Sequence, residues 1–183
     1  MKNYVNENIP DPKELIKKAE QVLRKLCESK KIAINGNLID SNKKYKARKY
    51  FEHEQKNSFS YKSKKPNDFS GLYVFYNKNK PVYVGISKTM IRRLKYHLFG
   101  KKDNESSFVY ILAKAKYEND TGQIHNGKRK DFPFNDYKDE IQNDMKENWS
   151  MKYCAIENGY ELSFIEIYVA CVLKSKWNTF KTH

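Results

Sequence analysis

GLYVFYNKNKPVYVGIS, residues 71–87, decides the fold. Two short β-rich runs, GLYVFY and PVYVGIS, flank Asn77-Lys78-Asn79-Lys80, and that order reads as a β-hairpin. A hairpin pivoting near Lys78 sets Tyr73 directly opposite Tyr83, with both phenols on one face. Two facing phenols are ordinary cross-strand packing, and they are also a pair of proton-carrying groups. Gly85, just after the second strand, permits a close backbone approach or a tight turn.

Downstream, SKTMIRRLKYHLFG reads as a helix with Ile91, Leu94 and Leu98 on one face and Gly100 as its stop. Arg93 and His97 stand four residues apart and so share a helix face, adjacent to that apolar stripe. Such a pair is common on exposed faces. Arg is nevertheless the side chain suited to bidentate phosphate contact. A second helix is predicted over about 105–117, then a polar loop over 118–138, a helix around 136–148, a strand near 151–156 and a closing helix over about 161–175. On that last helix Leu162, Val169 and Leu173 surround Glu166, which threads a carboxylate into an apolar stripe. Burying it unpaired is costly, so it should meet a cation, a metal ion or strong donors, with a structural salt bridge as the plain alternative.

Upstream, residues 11–30 read as an amphipathic helix with Asp11 as N-cap, Pro12 in the first position and Glu14 placed for a capping box. Leu15, Ala19, Val22, Leu23 and Leu26 follow helical spacing. The stretch 41–66 is polar, basic and studded with Tyr and Phe, a pattern that can grip phosphates while rings stack on bases, or serve only as a linker. The element order predicts an α+β fold, a small antiparallel three-stranded sheet flanked by helices. Residues 1–69 form a helical, basic N-terminal extension and residues 70–183 the main domain.

Charge points to the partner class. Lys+Arg 36 against Asp+Glu 22 gives +14, densest in the front of the chain. Such an excess favours nucleic acid or an anionic membrane surface, or merely solubilises. Candidate phosphate contacts are Lys46, Arg48 and Lys49 in the arm, and Lys88, Arg92 and Lys95 around the helix that follows the hairpin. Cys27, Cys154 and Cys171 form no C-x-x-C pair, so neither a zinc cluster nor a disulfide framework is indicated. The first residues carry no apolar h-region, and the most apolar run, IEIYVACVL, contains a Glu. No membrane span and a cytoplasmic setting are expected.

The run Gly71-Leu72-Tyr73 followed by Val82-Tyr83-Val84-Gly85 resembles the two short motifs that name the GIY-YIG nucleases. Leu72 and Val84 are apolar swaps for isoleucine. Arg93 and His97 follow in the expected order and spacing, as do Glu166 and, in KWNTF, Asn178. Each tripeptide is weak alone, and it is the ordered set that identifies the resemblance, which covers about residues 70–180. Some members carry a Lys shortly after the second motif. Here Ile86 and Ser87 stand there, with Lys88 close by.

The resemblance implies an endonuclease that hydrolyses phosphodiester bonds, most simply in double-stranded DNA. It implies one Mg²⁺ (or Mn²⁺) on Glu166, Tyr73 as general base, Arg93 on the phosphate, Tyr83 and His97 orienting water or phosphate, and Asn178 as a brace. A short stand-alone chain of this kind suits a restriction-type role, which favours a homodimer. The rivals are a non-catalytic nucleic-acid-binding module on the same fold, a nuclease for RNA or single-stranded DNA, and an interaction protein whose charge only solubilises.

Overall fold

The computed structural model describes residues 11–54, 68–157, 159–178 and 180. Residues 55–66 of the basic arm lie outside the described residues. Helix α1 (Pro12–Glu28) leads into a two-residue strand β1 (Ile32–Ala33), a turn at Ile34–Leu38 and helix α2 (Ala47–Glu54). The hairpin β2 (Gly71–Asn77) and β3 (Lys80–Ser87) follows, then α3 (Met90–Phe99), α4 (Ser107–Thr121), a short turn at Arg129–Asp131, α5 (Phe134–Asn148), β4 (Trp149–Ala155) and α6 (Gly159–Leu173).

Among the described residues the sheet has four strands, in the order β1-β4-β2-β3, all antiparallel. The expected three-stranded sheet is therefore extended by β1, whose two residues are too short to carry a pattern of their own. The polar stretch 118–138 is also shorter than predicted, since α4 runs on to Thr121 and α5 begins at Phe134.

The hairpin register differs from the simple pivot. Lys78 (φ 46°) and Asn79 (φ 67°) form a two-residue turn with positive φ at both positions, the geometry that matches strand twist. A bulge between Phe75 and Tyr76 then shifts the pairing by one. Tyr73 is thus paired with Gly85, and Tyr83 with Phe75. The two phenols remain on one face as diagonal neighbours, ring centroids 6.2 Å apart.

Alternation along β2 divides the interior. Leu72, Val74 and Tyr76 pack with Ala19, Val22 and Leu26 of α1 and Leu162, Ile165 and Val169 of α6. Tyr73 and Phe75 pack on the other face with Leu94 and Leu98 of α3, Phe108 of α4, Met145 of α5, and Ile34, Leu38 and Phe51. Each such fully buried side chain contributes roughly 1.5–3 kcal/mol.

Helix ends are tied down by specific groups. Asp11 accepts from the Lys13 N–H at 2.7 Å and caps α1. At the other end of α1, the buried Lys152 ammonium of β4 donates to the carbonyls of Leu26 (2.5 Å) and Cys27 (3.1 Å), a cation placed on a helix C-terminus. The start of α3 is capped from a distance. Asp68 accepts from the N–H groups of Ile91 (2.8 Å) and Arg92 (3.1 Å), which anchors the helix to the lead-in of β2. Gly100 does stop α3, but in an extended conformation. A Cβ there would collide with the Tyr96 carbonyl.

Candidate active site

The pairing of Tyr73 with Gly85 builds the centre of the site. The Tyr73 ring lies over the Gly85 backbone. A Cβ at position 85 would collide with the Tyr73 hydroxyl and come within 2.8 Å of Cε1 of Tyr83. Gly85 is therefore required by close approach, and it sits inside β3 rather than after it. Tyr83 is fixed by stacking on Phe108, centroids 4.1 Å apart and planes at 10°.

Helix α3 delivers the next two groups. Arg93 and His97 do share a face, but that face turns toward the sheet. His97 is fully buried among Tyr73, Phe75 and Phe108. Both of its nitrogens meet protein groups: Nε2 lies 2.5 Å from the Tyr73 hydroxyl, and Nδ1 lies 2.6 Å from Ser106 Oγ. His97 thus stands behind Tyr73 rather than open to a water or phosphate. Gln142 of α5 donates to the carbonyls of His97 (3.3 Å) and Gly100 (2.9 Å), which fixes the C-terminal turn of α3. Arg93 donates through Nη1 to the Glu105 carbonyl at 3.2 Å, and its buried Nε has no partner among the described residues.

Electrostatics follow from this burial. Desolvation pushes Tyr73 well above the ordinary tyrosine range, Tyr83 adds to the rise, and Arg93 opposes it. Tyr83 is likewise raised by burial and opposed by Arg93. Burial, and then the Arg93 charge, hold His97 well below its ordinary value, so the imidazole is neutral. For Arg93, burial alone would lower the pKa, but the facing phenols of Tyr73 and Tyr83 outweigh it and hold the guanidinium above its usual value.

Glu166 reaches this constellation from α6. It is half-buried, and desolvation raises its carboxyl to about 7 against the pull of Arg93. No hydrogen bond or ion pair joins it to a described residue. The structural salt bridge that would have explained it is absent there.

Asn178 does not brace Glu166 directly. Its side-chain amide accepts from the Val84 N–H and donates to the Val84 carbonyl, both at 2.7 Å, while Ser175 donates to its oxygen at 2.7 Å. It closes the open edge of β3 beside Gly85. Away from this centre, Lys46, Arg48, Lys49, Arg92 and Lys95 come together with Lys44 around one cleft of about 610 Å³ between α2 and the start of α3. Asp40 and Asp68 also line it. Lys88 is exposed, outside that cleft.

Ser106, Asp68, Glu105 and Gln142 were not singled out in the sequence. Only Ser106 carried a local signal, as a Ser immediately before a helical run.

Paired phenols, a guanidinium and an unpartnered carboxylate at the edge of an α+β sheet define a protein equipped to receive a phosphate and move a proton beside it. The family model for the GIY-YIG catalytic domain matches residues 49–181, and the chain belongs to that family. It is by descent a nuclease, with nucleic acid as its substrate class. No curated protein and no solved structure matches the chain. No helix among the described residues is long and apolar enough to cross a membrane.

GIY-YIG nucleases generally depend on a divalent metal. Among the described residues no three His, Cys, Asp or Glu side chains gather. One half-buried, unpartnered carboxylate does fit Mg²⁺, which keeps most of its waters and takes one or two carboxylates.

Proposed function

We propose that this protein is a metal-dependent endonuclease hydrolysing phosphodiester bonds in double-stranded DNA. The observation that carries this reading is the half-buried Glu166 carboxylate, with no hydrogen bond or ion pair to a described residue, whose charge raises both phenols and is opposed by Arg93. A pure binding module has no use for a carboxylate beside a phosphate site.

Glu166 would hold one Mg²⁺ or Mn²⁺, which when bound supplies Lewis-acid stabilisation of the leaving 3′-oxygen. Arg93 clamps the scissile phosphate and offsets charge in the transition state. Tyr73 takes the proton of the attacking water. Burial holds the Tyr73 phenol protonated, so it can take a proton from water only after its own has left, and its ionised form then needs donors. His97 Nε2 at 2.5 Å and the facing Arg93 are the groups that can supply them. Tyr83, held against Phe108, orients the water or the phosphate.

The cations around the α2–α3 cleft would carry the flanking DNA backbone, and Lys88 a separate phosphate. A restriction-type role, a homodimer on a two-fold symmetric site and a cytoplasmic setting belong to the same reading.

Supercoiled-plasmid cleavage in Mg²⁺, in chelator and with Glu166→Ala tests it. Discrete Mg²⁺-dependent bands lost in the variant, with DNA retention unchanged in a gel shift, are expected. Undiminished cutting by Glu166→Ala would sink the metal assignment. Cutting of RNA or single strands alone would move the substrate. Binding without cutting of any nucleic acid would leave the binding-module reading.

A further inference from the structure

A second basic cleft lies past the C-terminal end of α3, whereas the α2–α3 cleft lies against its first turns. Lys101, Lys102, Arg129 and Lys130 line it, and its volume is about 390 Å³. Asp103 and Asp136 line it too.

The backbone beneath these cations is braced. The Glu105 carboxylate accepts from the backbone N–H groups of Lys101 (2.6 Å) and Lys102 (3.1 Å), not from their ammonium groups. Arg129 neutralises Asp103, since its Nε donates to the carboxylate at 2.8 Å and its Nη2 donates to the Asp103 carbonyl. The same guanidinium lies over the Tyr110 ring, 4.2 Å from its centroid. Arg129 is thus planted in one orientation, and its Nη1 has no hydrogen bond to a described residue. Lys101, Lys102 and Lys130 are exposed and make no ion pair among the described residues. The lining therefore keeps these three ammonium groups against the Asp136 carboxylate alone. Bracing lowers the ordering cost of holding a ligand there.

The cleft is joined to the active centre through one residue. Glu105 holds the Lys101–Lys102 backbone with its side chain, and its carbonyl accepts from Arg93 Nη1 at 3.2 Å. Asn104, which also lines the cleft, is one step along the chain from Glu105, about 3.8 Å between Cα atoms. A DNA strand carries a phosphate about every 3.4 Å of helix axis. A strand with one phosphate on Arg93 thus has others within reach of the cleft.

We propose that Lys101, Lys102, Arg129 and Lys130 form a second phosphate-contact site, which holds the DNA backbone a few nucleotides from the bond that is cut. The proposal deepens the nuclease reading and rests on it, because the occupant is the substrate's own backbone. The lysines supply charge, and the planted Arg129 supplies a directed donor. Such contacts set affinity and register and carry no base recognition.

Fluorescence anisotropy of a labelled DNA duplex, titrated in chelator over a range of salt concentrations, tests the site. Lys101→Ala/Lys102→Ala/Lys130→Ala removes three exposed charges. It should reduce the slope of log K against log salt by roughly 2 to 3, at about 0.9 per phosphate contact, and weaken binding roughly 10- to 100-fold. Lys13→Ala/Lys17→Ala/Lys30→Ala removes the same charge on and just after α1, and should leave the slope unchanged. Equal shifts in the two variants would reduce the effect to net charge and overturn the site. A cleft variant that binds like the original, beside an original that binds well, would overturn the site and leave the nuclease reading standing. An unsubstituted chain that binds no duplex at all would overturn the site together with the proposed substrate.

Discussion

The two faces of the sheet are made of different chemistry. Toward α1 and α6 the contacts are mostly aliphatic, from Leu72, Val74 and Val84 to Leu162, Ile165 and Val169. Toward α3, α4 and α5 they are largely rings, with Tyr73, Phe75, Tyr83, His97, Phe108 and Trp149 meeting edge-on or stacked. Aliphatic surface contributes area without asking for hydrogen bonds. Phenols and imidazoles bury rings and must also find partners for their polar atoms, which fixes where those atoms point. One face thus serves stability, and the other holds proton-carrying atoms in place. Glu166 crosses the division. It rides on α6, the helix of the aliphatic face, yet its charge raises Tyr73 and Tyr83 on the ring face, and Arg93 of α3 pulls on it in turn.

The sharpest way to break this comparison is Tyr73→Phe. Cleavage should fall about 10²- to 10⁴-fold, on the order of 3–5 kcal/mol in the barrier, while stability falls by only about 1–3 kcal/mol through the lost partner of His97. Single-turnover cleavage and urea unfolding of one preparation measure both, and an unchanged cleavage rate would deny the ring face its chemical role. Leu26→Ala, on α1, is the opposite probe. It should cost about 2–5 kcal/mol of stability and leave the cleavage rate per folded molecule untouched. A large drop in that rate would show that the aliphatic face also sets the site geometry.

Glu166→Gln tests the residue that joins the two. Below pH 4.5 the carboxyl is neutral in folded and unfolded chains alike. As pH rises through about 7 it becomes charged in the folded chain too, at the cost of its burial. The stability this group allows is therefore fully present below 4.5 and lost by about pH 7. In chelator, Glu166→Gln should be more stable than the original by on the order of 2–3 kcal/mol at pH 8 and by nothing at pH 4. A pH-independent difference in thermal unfolding would contradict a half-buried, unpartnered carboxylate. Asn178→Ala should have the smallest effect, about 1–2 kcal/mol, because the freed Val84 groups lie at an edge that water can reach. Hydrogen exchange at the Val84 amide should speed up, and protection equal to the original would mean that the amide clamp does not close this edge.

Much of this arrangement is local and could be read along the chain. The turn residues between β2 and β3, the apolar spacing of α1 and α3, the four-residue step from Arg93 to His97 and the isolated Glu166 all depend on neighbours within a few positions. Backbone periodicity alone sets which side chains share a face. Other features depended on contacts between distant segments. The two-residue turn at Lys78–Asn79 and the bulge after Phe75 each moved the register by one, so that Tyr73 faces Gly85 instead of Tyr83, and of the two uses open to Gly85 it is the close approach beneath the Tyr73 ring that is realised. Strand β4 inserts between β1 and β2, which no local pattern announces.

The burial of His97, its bond to Ser106 nine residues on, the capping of α3 by Asp68 and the seating of Lys152 on the end of α1 likewise appear only once the helices are packed. The residue types capable of the chemistry, their order and their spacing were therefore legible in the sequence. Which nitrogen faces which oxygen, and which groups are shut away from water, were decided by packing, because hydrogen-bond geometry and desolvation belong to the assembled interior and not to any one segment.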